Sequence, residues 1–313
     1  MKASRLTNGC RALMVFAFAE LAWADAAVFT ASDVVALAGG EEMVVMSEWP
    51  ALEMLVAQEP GLATVKFRNL ACEGDTVFEQ FRQLNFPSWP EQLKKVGATL
   101  VIAQFGKMES LRGSAAIPEF VAAYEKLLKA FAEDGRRVLV LSPLPFGRVV
   151  GTQGGFSEKA LLPEAKPRNE VLGLYVAAVR KLCEMHDWRF VDVFTSQSKH
   201  GIATRDGVHA VGCVYSGPLL TDFCAELNLK PPALPLLTQP LASLIREKNR
   251  FWFHHWRPQN WAFLRGDRTE QLFSRDFPDT NARRLVAETD QWLRLVTAKE
   301  DEIARMAASP AKP

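Results

Sequence analysis

Five short runs of β-branched and other apolar residues alternate along this chain with segments of helical periodicity. The helical pattern is clearest at 115–133 and 169–185, where apolar side chains recur every three or four residues and share one face. Strands that alternate with helices pair in parallel through right-handed crossovers. We therefore predict a three-layer α/β/α sandwich around a parallel sheet. The five predicted strands cover residues 34–38, 64–68, 98–104, 137–142 and 189–194.

The predicted strand order is 2-1-3-4-5, the flavodoxin-like order, which brings five loops to the carboxyl edge of the sheet. In open parallel sheets the functional crevice lies outside these strand ends. We therefore expect Gly40, Gly74, Gly106 and His209 to meet there. The loops concerned cover residues 39–42, 69–76, 105–110, 142–146 and 204–209.

Composition narrows the class of partner. A chain of 313 residues, 48% of them hydrophobic, is long enough for one large domain with an additional segment. The formal net charge is +1, and no run of five or six like charges occurs. The sequence therefore provides no general electrostatic attraction for nucleic acid. We expect the ligand to be a small molecule or a carbohydrate.

The first 24 residues resemble a secretory signal peptide. Basic residues precede an apolar stretch over 12–24, and its end, Ala-Trp-Ala at 22–24, has a small-x-small cleavage pattern. This pattern predicts a periplasmic or secreted protein. An uncleaved amphipathic start is the alternative, because Glu20 lies inside the apolar stretch. No other segment reaches the roughly 20 apolar residues that a membrane-spanning helix needs.

Four cysteines would remain after cleavage, and their spacing matches no zinc pattern. An even number in an exported protein permits disulfides, but a chain of this length does not need them. We predict buried free thiols, no metal and no cofactor. The four are Cys72, Cys183, Cys213 and Cys224.

The most informative motif is Asp206-Gly207-Val208-His209, on the loop after the last predicted strand. A carboxylate three residues before a histidine can hold one imidazole nitrogen while the other faces the reacting group. Alone, the motif is weak, because an aspartate in such a turn also forms ordinary Asx-turns. Its place after the fifth strand favours the catalytic interpretation.

With the segments before it, this motif resembles the signature blocks of the SGNH (GDSL-type) esterase superfamily, over residues 34–227. Asp206 and His209 fall at the catalytic positions of the fifth block. Asn69 and Gly74 fall in the second block, whose glycine gives a backbone N–H to the oxyanion hole. The resemblance implies a carboxylic ester or acetyl esterase, with acylated carbohydrate or a small ester as its ligand.

The first and third blocks depart from the family pattern. Met108 stands where the third block has its oxyanion-hole asparagine, between Gly106 and Glu109. Glu41 stands where the first block has its nucleophilic serine, and the resemblance assigns the preceding Gly40 to the oxyanion hole together with Gly74. Removing such a serine costs a factor on the order of 10⁶ in rate, and losing an oxyanion donor about 10² to 10³. We therefore expect no acyl-enzyme on a serine.

Glu41 and Glu42 admit three interpretations. They can be surface charge at a helix N-terminus, which the helix dipole favours and which is our first choice. Glu41 can instead be a catalytic carboxylate, paired with Asp206 or Glu109 as acid and base on an ester or glycosidic bond. The third interpretation is that these glutamates belong to the remnant of a site that no longer catalyses a reaction. Direct activation of water by His209 and Asp206 is a further route.

We divide the mature chain into an SGNH-like α/β domain at 25–235 and a helical extension at 236–313. The boundary follows a proline-rich stretch at 231–235. Helical spacing over 241–256 and 285–306 predicts two helices in the extension.

The segment 249–261 in this extension is dense in aromatic and hydrogen-bonding side chains. We expect its aromatic rings to pack on the α/β domain and stabilise it, although such a segment also suits a sugar ring. His254 and His255 are adjacent, point to different helix faces and make a poor metal pair. The segment is similar to the tail of an exported bacterial SGNH branch whose first block is often Gly-Gly-x-Asn; here Glu42 takes the place of that asparagine.

Two functions from different classes remain. The first is hydrolysis of an ester. The second is a catalytically silent module of the same fold that binds a glycan or a protein partner. The motifs around His209 and Gly74 favour the first, and the substitutions at Glu41 and Met108 favour the second.

Overall fold

A parallel sheet of five strands lies at the centre of the molecule, between helices on both faces. The computed structural model describes residues 27–82, 85–150, 165–232, 240–281 and 283–308. The predicted signal peptide lies outside these residues. The strands found in them are β1 (Val34–Gly39), β2 (Lys66–Asn69), β3 (Leu100–Gln104), β4 (Arg137–Leu141), β5 (Arg148–Val149), β6 (Arg189–Val191) and β7 (Ala203–Thr204).

The central sheet has the order β2-β1-β3-β4-β6, and each neighbouring pair is parallel. This confirms the predicted topology, because β5 pairs with β7 in a separate ladder and β6 is the fifth strand of the central sheet. The helices in the described residues are α1 (Glu41–Val45), α2 (Ala51–Gln58), α3 (Trp89–Val96), α4 (Ile117–Ala132), α5 (Ala165–His186), α6 (Val193–His200), α7 (Gly212–Ser216), α8 (Pro218–Glu226), α9 (Pro240–Trp256), α10 (Ala262–Arg265) and α11 (Arg284–Ala308).

Successive side chains of the central strands enter two different hydrophobic cores, because neighbouring residues of a strand point to opposite faces. In β1, Val35 and Leu37 join the core that contains residues of α1, α2 and α8. Ala36 and Ala38 join the core that contains residues of α3, α4 and α5. Both faces of the sheet are thus covered, as a parallel sheet requires.

The predicted end of the fifth strand is wrong. The fifth predicted strand, 189–194, ends at Val191, because the Asp192 carboxylate accepts the N–H of Thr195 and caps α6. The helix after β2 begins only at Trp89, behind a Ser88–Glu91 capping box.

Helix α9 lies along β2, one of the two edge strands of the central sheet. Edge strands present unpaired backbone groups. Three side chains from α9 and the residue after it bond to alternate carbonyl groups of β2 and its continuation. Lys248 Nζ lies 3.4 Å from Phe67 O, Trp252 Nε1 2.8 Å from Asn69 O, and Arg257 3.0 Å from Ala71 O. The extension therefore serves as the cover of this sheet edge.

A buried ion pair joins α9 to α2. Lys248 is fully buried, and its Nζ lies 2.7 Å from Oε1 of Glu53, whose other oxygen accepts the Asn249 amide at 3.3 Å. Burial raises the pKa of Glu53, and the attraction of Lys248 offsets this only in part.

Helix α11 packs on α9 and reaches the same edge of the sheet. Glu300 forms a salt bridge with Arg68 of β2, and the Arg68 guanidinium lies 4.9 Å from the centre of the Trp252 ring. Trp252 and Trp256 are buried in the core that also contains residues of α3, α4 and α5. Phe253 is 45% exposed, so the aromatic segment is divided between core and surface.

The described cysteines carry free thiols: Cys72 and Cys183 are buried, and Cys224 is half-buried. Burial raises the pKa of Cys72 to about 11 and that of Cys183 to about 12, so both stay protonated at neutral pH. The side chain of Cys213 lies outside the described part. Within the described ranges, no helix is both long and apolar enough to cross a membrane, and no group of three or more potential ligands is arranged for a metal.

Candidate active site

A cavity of about 240 Å³ opens at the carboxyl edge of the central sheet. Loops that follow β1, β2, β3 and β4 form its walls, together with the loop after β7. Eight of the ten predicted site residues line it, while Asp206 and Asn69 do not. The eight are Gly40, Glu41, Glu42, Gly74, Gly106, Met108, Glu109 and His209.

The turn between β1 and α1 is tight because two glycines pack closely against neighbouring loops. A Cβ on Gly39 would lie 2.6 Å from the carbonyl oxygen of Gln104, and one on Gly40 would lie 3.1 Å from that of Asp75. Real Cβ atoms do not approach a carbonyl so closely as the first distance. The close approach sets Glu41 and Glu42 in the first turn of α1, at the cavity wall.

Glu42 is not the surface charge that our first interpretation assumed. Its side chain is 13% exposed, and Oε1 accepts a hydrogen bond from Lys107 Nζ at 2.6 Å. Oε2 accepts the backbone N–H of Leu144 at 3.1 Å. The carboxylate thus ties α1 to the loops after β3 and β4.

Glu41 comes closer to that first interpretation. Its side chain is 29% exposed, and Oε1 lies 3.2 Å from a guanidinium nitrogen of Arg205. Arg205 Nε is also 3.9 Å from Oδ2 of Asp206. No side chain caps the N-terminus of α1. Arg205 therefore joins the residue at the serine position to the carboxylate that holds the histidine.

Asp206 holds His209 through one ring nitrogen and the backbone. His209 Nδ1 lies 2.5 Å from Asp206 Oδ2, and Asp206 Oδ1 accepts the backbone N–H groups of His209 at 2.8 Å and Val208 at 3.0 Å. Burial opposes ionisation of Asp206, but these hydrogen bonds outweigh it and hold the pKa of the carboxyl below its usual value. Asp206 is therefore ionised at neutral pH and fixes the imidazole. Within the described chain, no residue hydrogen-bonds to Nε2 of His209, which lines the cavity.

Lys107 anchors the histidine loop to Glu42. Its Nζ donates to Val208 O at 2.6 Å as well as to Glu42 Oε1, and the side chain is 7% exposed. An ammonium group has three N–H bonds, so one remains for the cavity that Lys107 lines. Sequence patterns did not identify Lys107 as a site residue, because Lys107 occupies the variable position of the third block. The one signal in the sequence that could have pointed to Lys107 is its positive charge between Gly106 and Met108.

Gly74 lies on a loop that an ion pair fixes. Its φ is 81°, and no described group accepts its backbone N–H. The next residue, Asp75, forms two hydrogen bonds of 2.8 Å with Arg82. This pair holds the loop in place.

Glu109 has a structural position in the third block. One oxygen accepts the N–H of Val77 at 2.8 Å and the other accepts that of Gly106 at 2.9 Å. Burial raises the pKa of this carboxyl, with the two backbone N–H groups acting in the opposite direction. Because both oxygens are engaged, Glu109 is poorly placed to act with Glu41 as an acid–base pair.

Asn69 supports the site from behind. Its amide nitrogen donates to Met43 O at 2.7 Å and to Ser47 Oγ at 2.9 Å, and its amide oxygen accepts the N–H of Ala71 at 3.0 Å. It connects α1 with the loop that carries Gly74.

Comparison with protein-family models and with curated proteins finds no match. Among solved structures, the chain is similar to a catalytic mutant of Axe2, an acetylxylan esterase from Geobacillus stearothermophilus, with 13% identity and a TM-score of 0.43 over 64% of this chain and 97% of that one. It is also similar to the extracellular lipase from Streptomyces rimosus, with 20% identity and a TM-score of 0.43 over 63% and 100% of the two chains.

A gut microbial diltiazem-metabolizing enzyme is similar with 15% identity and a TM-score of 0.48, over 64% of this chain. The match spans 48%, about half, of that enzyme's length.

Arg257 connects the C-terminal extension to the wall of the cavity. It donates to Ala71 O at 3.0 Å and to the Glu73 carboxylate at 2.8 Å, and Glu73 lines the cavity beside Gly74. Sequence patterns could not reveal this contact, because the hydrogen-bonded residues are 184 and 186 positions apart.

We expect Arg257→Met to loosen the Gly74 loop and to lower the free energy of unfolding by about 1 kcal/mol, since Glu73 is half exposed and its ion pair is screened by water. Thermal unfolding measures the change in stability. Arg268→Met removes an exposed arginine that contacts the Phe263 ring and serves as the control. Equal midpoints for the two variants would contradict the prediction.

Proposed function

We propose that this protein hydrolyses esters, with His209 as general base for a water molecule. The observation that carries the proposal is the Asp206–His209 pair, in which Nδ1 is bonded to an ionised carboxylate and Nε2 lines the cavity without a partner in the described chain. An imidazole held in this way has its proton on Nδ1 and a lone pair on Nε2. Such a group removes a proton from water and returns it to a leaving group.

His209 alone accepts and returns the proton that the reaction transfers. Nε2 takes a proton from water as the water oxygen bonds to the acyl carbon, and the carbonyl oxygen becomes an oxyanion. When the tetrahedral intermediate collapses, the bond to the alkoxide oxygen breaks and Nε2 gives its proton to that oxygen. Asp206 stays ionised throughout and stabilises the imidazolium.

Lys107 and Gly74 are the donors that we assign to the oxyanion. Lys107 brings a positive charge and one remaining N–H to the cavity wall, and Gly74 brings a backbone N–H without an acceptor among the described groups. Donors fixed before the reaction stabilise the charge that develops on the carbonyl oxygen. Lys107 thus takes over a role that Met108, without a donor, cannot perform.

The size of the cavity favours a small acyl group. A volume of about 240 Å³ lies below the roughly 300 to 1,000 Å³ that is usual for drug-sized ligands. No serine, threonine or cysteine is found among the described residues of its wall, so the water route is preferred to a covalent one. The N-terminal pattern supports an exported location for this activity.

Hydrolysis of p-nitrophenyl acetate tests the proposal. We expect His209→Ala to lower the rate by about 10²- to 10⁴-fold, the range that a general base contributes. His200→Ala, at the exposed end of α6, is the matched control and should keep the wild-type rate. A wild-type rate equal to that of His209→Ala, with both proteins folded, would reject hydrolysis.

A silent binding module is the second candidate, and the Glu41–Arg205 ion pair favours it. This pair occupies the position of the nucleophile and leaves the carboxylate engaged at 3.2 Å. If wild-type protein shows no hydrolysis above the His209→Ala background, the silent module becomes the preferred function.

A further inference from the structure

A buried amide oxygen in the wall of the cavity lacks a hydrogen-bond donor. Gln104, the last residue of β3, is 5% exposed and lines the same cavity as His209. Its amide nitrogen donates to Ser142 O at 2.9 Å, while its Oε1 has no hydrogen-bond partner in the described chain. A buried acceptor without a donor costs free energy. A ligand that brings an N–H or O–H group to Oε1 removes this cost.

The orientation of the Gln104 amide follows from its partner. The carbonyl oxygen of Ser142 is an acceptor only, so the amide nitrogen must face it and the amide oxygen is left over. Two other described residues, Tyr124 and Gln197, have a buried side-chain oxygen without a partner, but neither lines the cavity. Gln104 therefore places a free acceptor where a ligand can use it.

Acidic residues outnumber basic ones in the wall of the cavity. The described wall contains five carboxylates, one lysine and no arginine. Lys107 pairs with Glu42, and arginines that do not line the cavity pair with three more of the carboxylates. Glu109 is bound by two backbone N–H groups. A cavity lined mainly by one sign of charge concentrates small ions of the opposite sign. The five are Glu41, Glu42, Glu73, Asp75 and Glu109.

We propose that the acyl group of the substrate carries a protonated amine, so that the protein hydrolyses aminoacyl esters. The inference rests on the proposed ester hydrolysis and specifies its acyl group. The carbonyl oxygen of the ester accepts from Lys107, and the ammonium group on the neighbouring carbon donates to Oε1 of Gln104. Gln104 and Lys107 lie three positions apart, at the end of β3 and in the loop after it, and both line this cavity of about 240 Å³.

The bond changes are those of ester hydrolysis. Water gives a proton to Nε2 of His209 and bonds to the acyl carbon, the bond to the alcohol oxygen breaks, and that oxygen takes the proton from Nε2. The products are an alcohol and an amino acid, whose new carboxyl group ionises in solvent. The ammonium group keeps its protons throughout. An α-amino group has a pKa of about 7.7 to 8.0, so at neutral pH most of it is charged.

Three ethyl esters of nearly equal size test the inference. Ethyl glycinate carries an ammonium group, ethyl glycolate a hydroxyl group and ethyl propionate a methyl group at the same position. For each ester, kcat/KM of Gln104→Leu is divided by that of the wild type, which cancels the different intrinsic reactivities of the esters. We expect a fall of about tenfold to 100-fold for ethyl glycinate, which loses a hydrogen bond from a charged donor. For ethyl propionate, which has no such hydrogen, we expect a fall of less than about threefold.

Two further variants separate the acceptor from the fold. Gln104→Glu keeps an acceptor oxygen at this position and should keep most of the preference for ethyl glycinate. Gln291→Leu makes the loss of a glutamine amide on the exposed surface of α11 and should equal the wild type with all three esters. An equal fall for the three esters in Gln104→Leu would show that Gln104 acts on a group common to them, such as the water molecule, and would overturn the inference. An unchanged rate with ethyl glycinate would do the same.

Binding to His209→Ala tests the ligand without hydrolysis and needs no change at Gln104. Titration calorimetry should show tighter binding of ethyl glycinate than of ethyl propionate, and adding Gln104→Leu should remove the difference. Equal binding of the two esters would contradict the inference. Wild-type hydrolysis of ethyl propionate without any contribution of Gln104 to ethyl glycinate would reject the aminoacyl group and leave ester hydrolysis standing. Selective binding of ethyl glycinate without hydrolysis of any ester would reject ester hydrolysis and leave the ligand assignment standing.

Discussion

Lys248→Met is expected to lower the free energy of unfolding by about 3 to 5 kcal/mol, the cost of breaking a buried ion pair from one side. Lys248 is fully buried, and its ammonium group lies 2.7 Å from Glu53. Without it, the Glu53 carboxyl stays in the interior, and among the described residues the Asn249 amide at 3.3 Å is the hydrogen-bond partner left to it. Denaturant unfolding at neutral pH measures the loss.

The double variant Lys248→Met with Glu53→Gln should recover most of this loss. A glutamine keeps the oxygen that accepts from Asn249 and removes the unpaired charge, and replacing a whole buried pair by neutral residues often costs little. Lys129→Met is the control, because Lys129 is 59% exposed and forms an i,i+4 pair worth about 0.3 to 0.5 kcal/mol. A double variant no more stable than Lys248→Met would show that the lost energy comes from packing and not from the charge.

Glu41→Ser combined with Met108→Asn is expected to produce the largest gain in esterase activity. The first change puts a hydroxyl at the N-terminus of α1 on the wall that it shares with His209, and the second restores an amide donor. We expect the double variant to exceed Glu41→Ser alone by about 10²- to 10³-fold, as an oxyanion donor does. Initial rates with p-nitrophenyl acetate measure the gain.

The same variant gives a covalent test. A serine-directed phosphonylating reagent should add to the hydroxyl that Glu41→Ser introduces and to no serine of the wild type, as judged by mass spectrometry. Labelling of a wild-type serine near the cavity would contradict the water route. A folded double variant without added activity would show that the cavity is built for binding or for another reaction.

The strand order and the loops around the cavity could be predicted from the sequence, because both depend on local patterns. Apolar runs separated by helical segments imply parallel strands, and parallel strands place the following loops at one edge. The positions of Gly40, Gly74 and His209 follow from that rule.

The partners of the site residues could not be predicted in the same way. Glu42 and Lys107 are 65 positions apart and meet only because β1 and β3 are neighbours in the sheet. Their burial reversed our first interpretation of Glu42, since a first-turn glutamate is ordinarily solvated. The aromatic segment illustrates the same limit: helical periodicity predicted α9, but only its position against β2 separates the buried Trp252 from the exposed Phe253.

Helix α9 covers the β2 edge of the sheet, and this contact affects when the site can form during folding. Trp252 and Arg257 bond to carbonyl groups that lie 183 and 186 positions earlier in the chain, and the second of these carbonyls belongs to the loop before Gly74. Contacts between such distant residues close long loops and form slowly. The strands of the sheet pair through nearer contacts, so we expect the wall of the cavity to be completed late. In a refolding experiment, the recovery of site function should therefore lag behind the recovery of helix content.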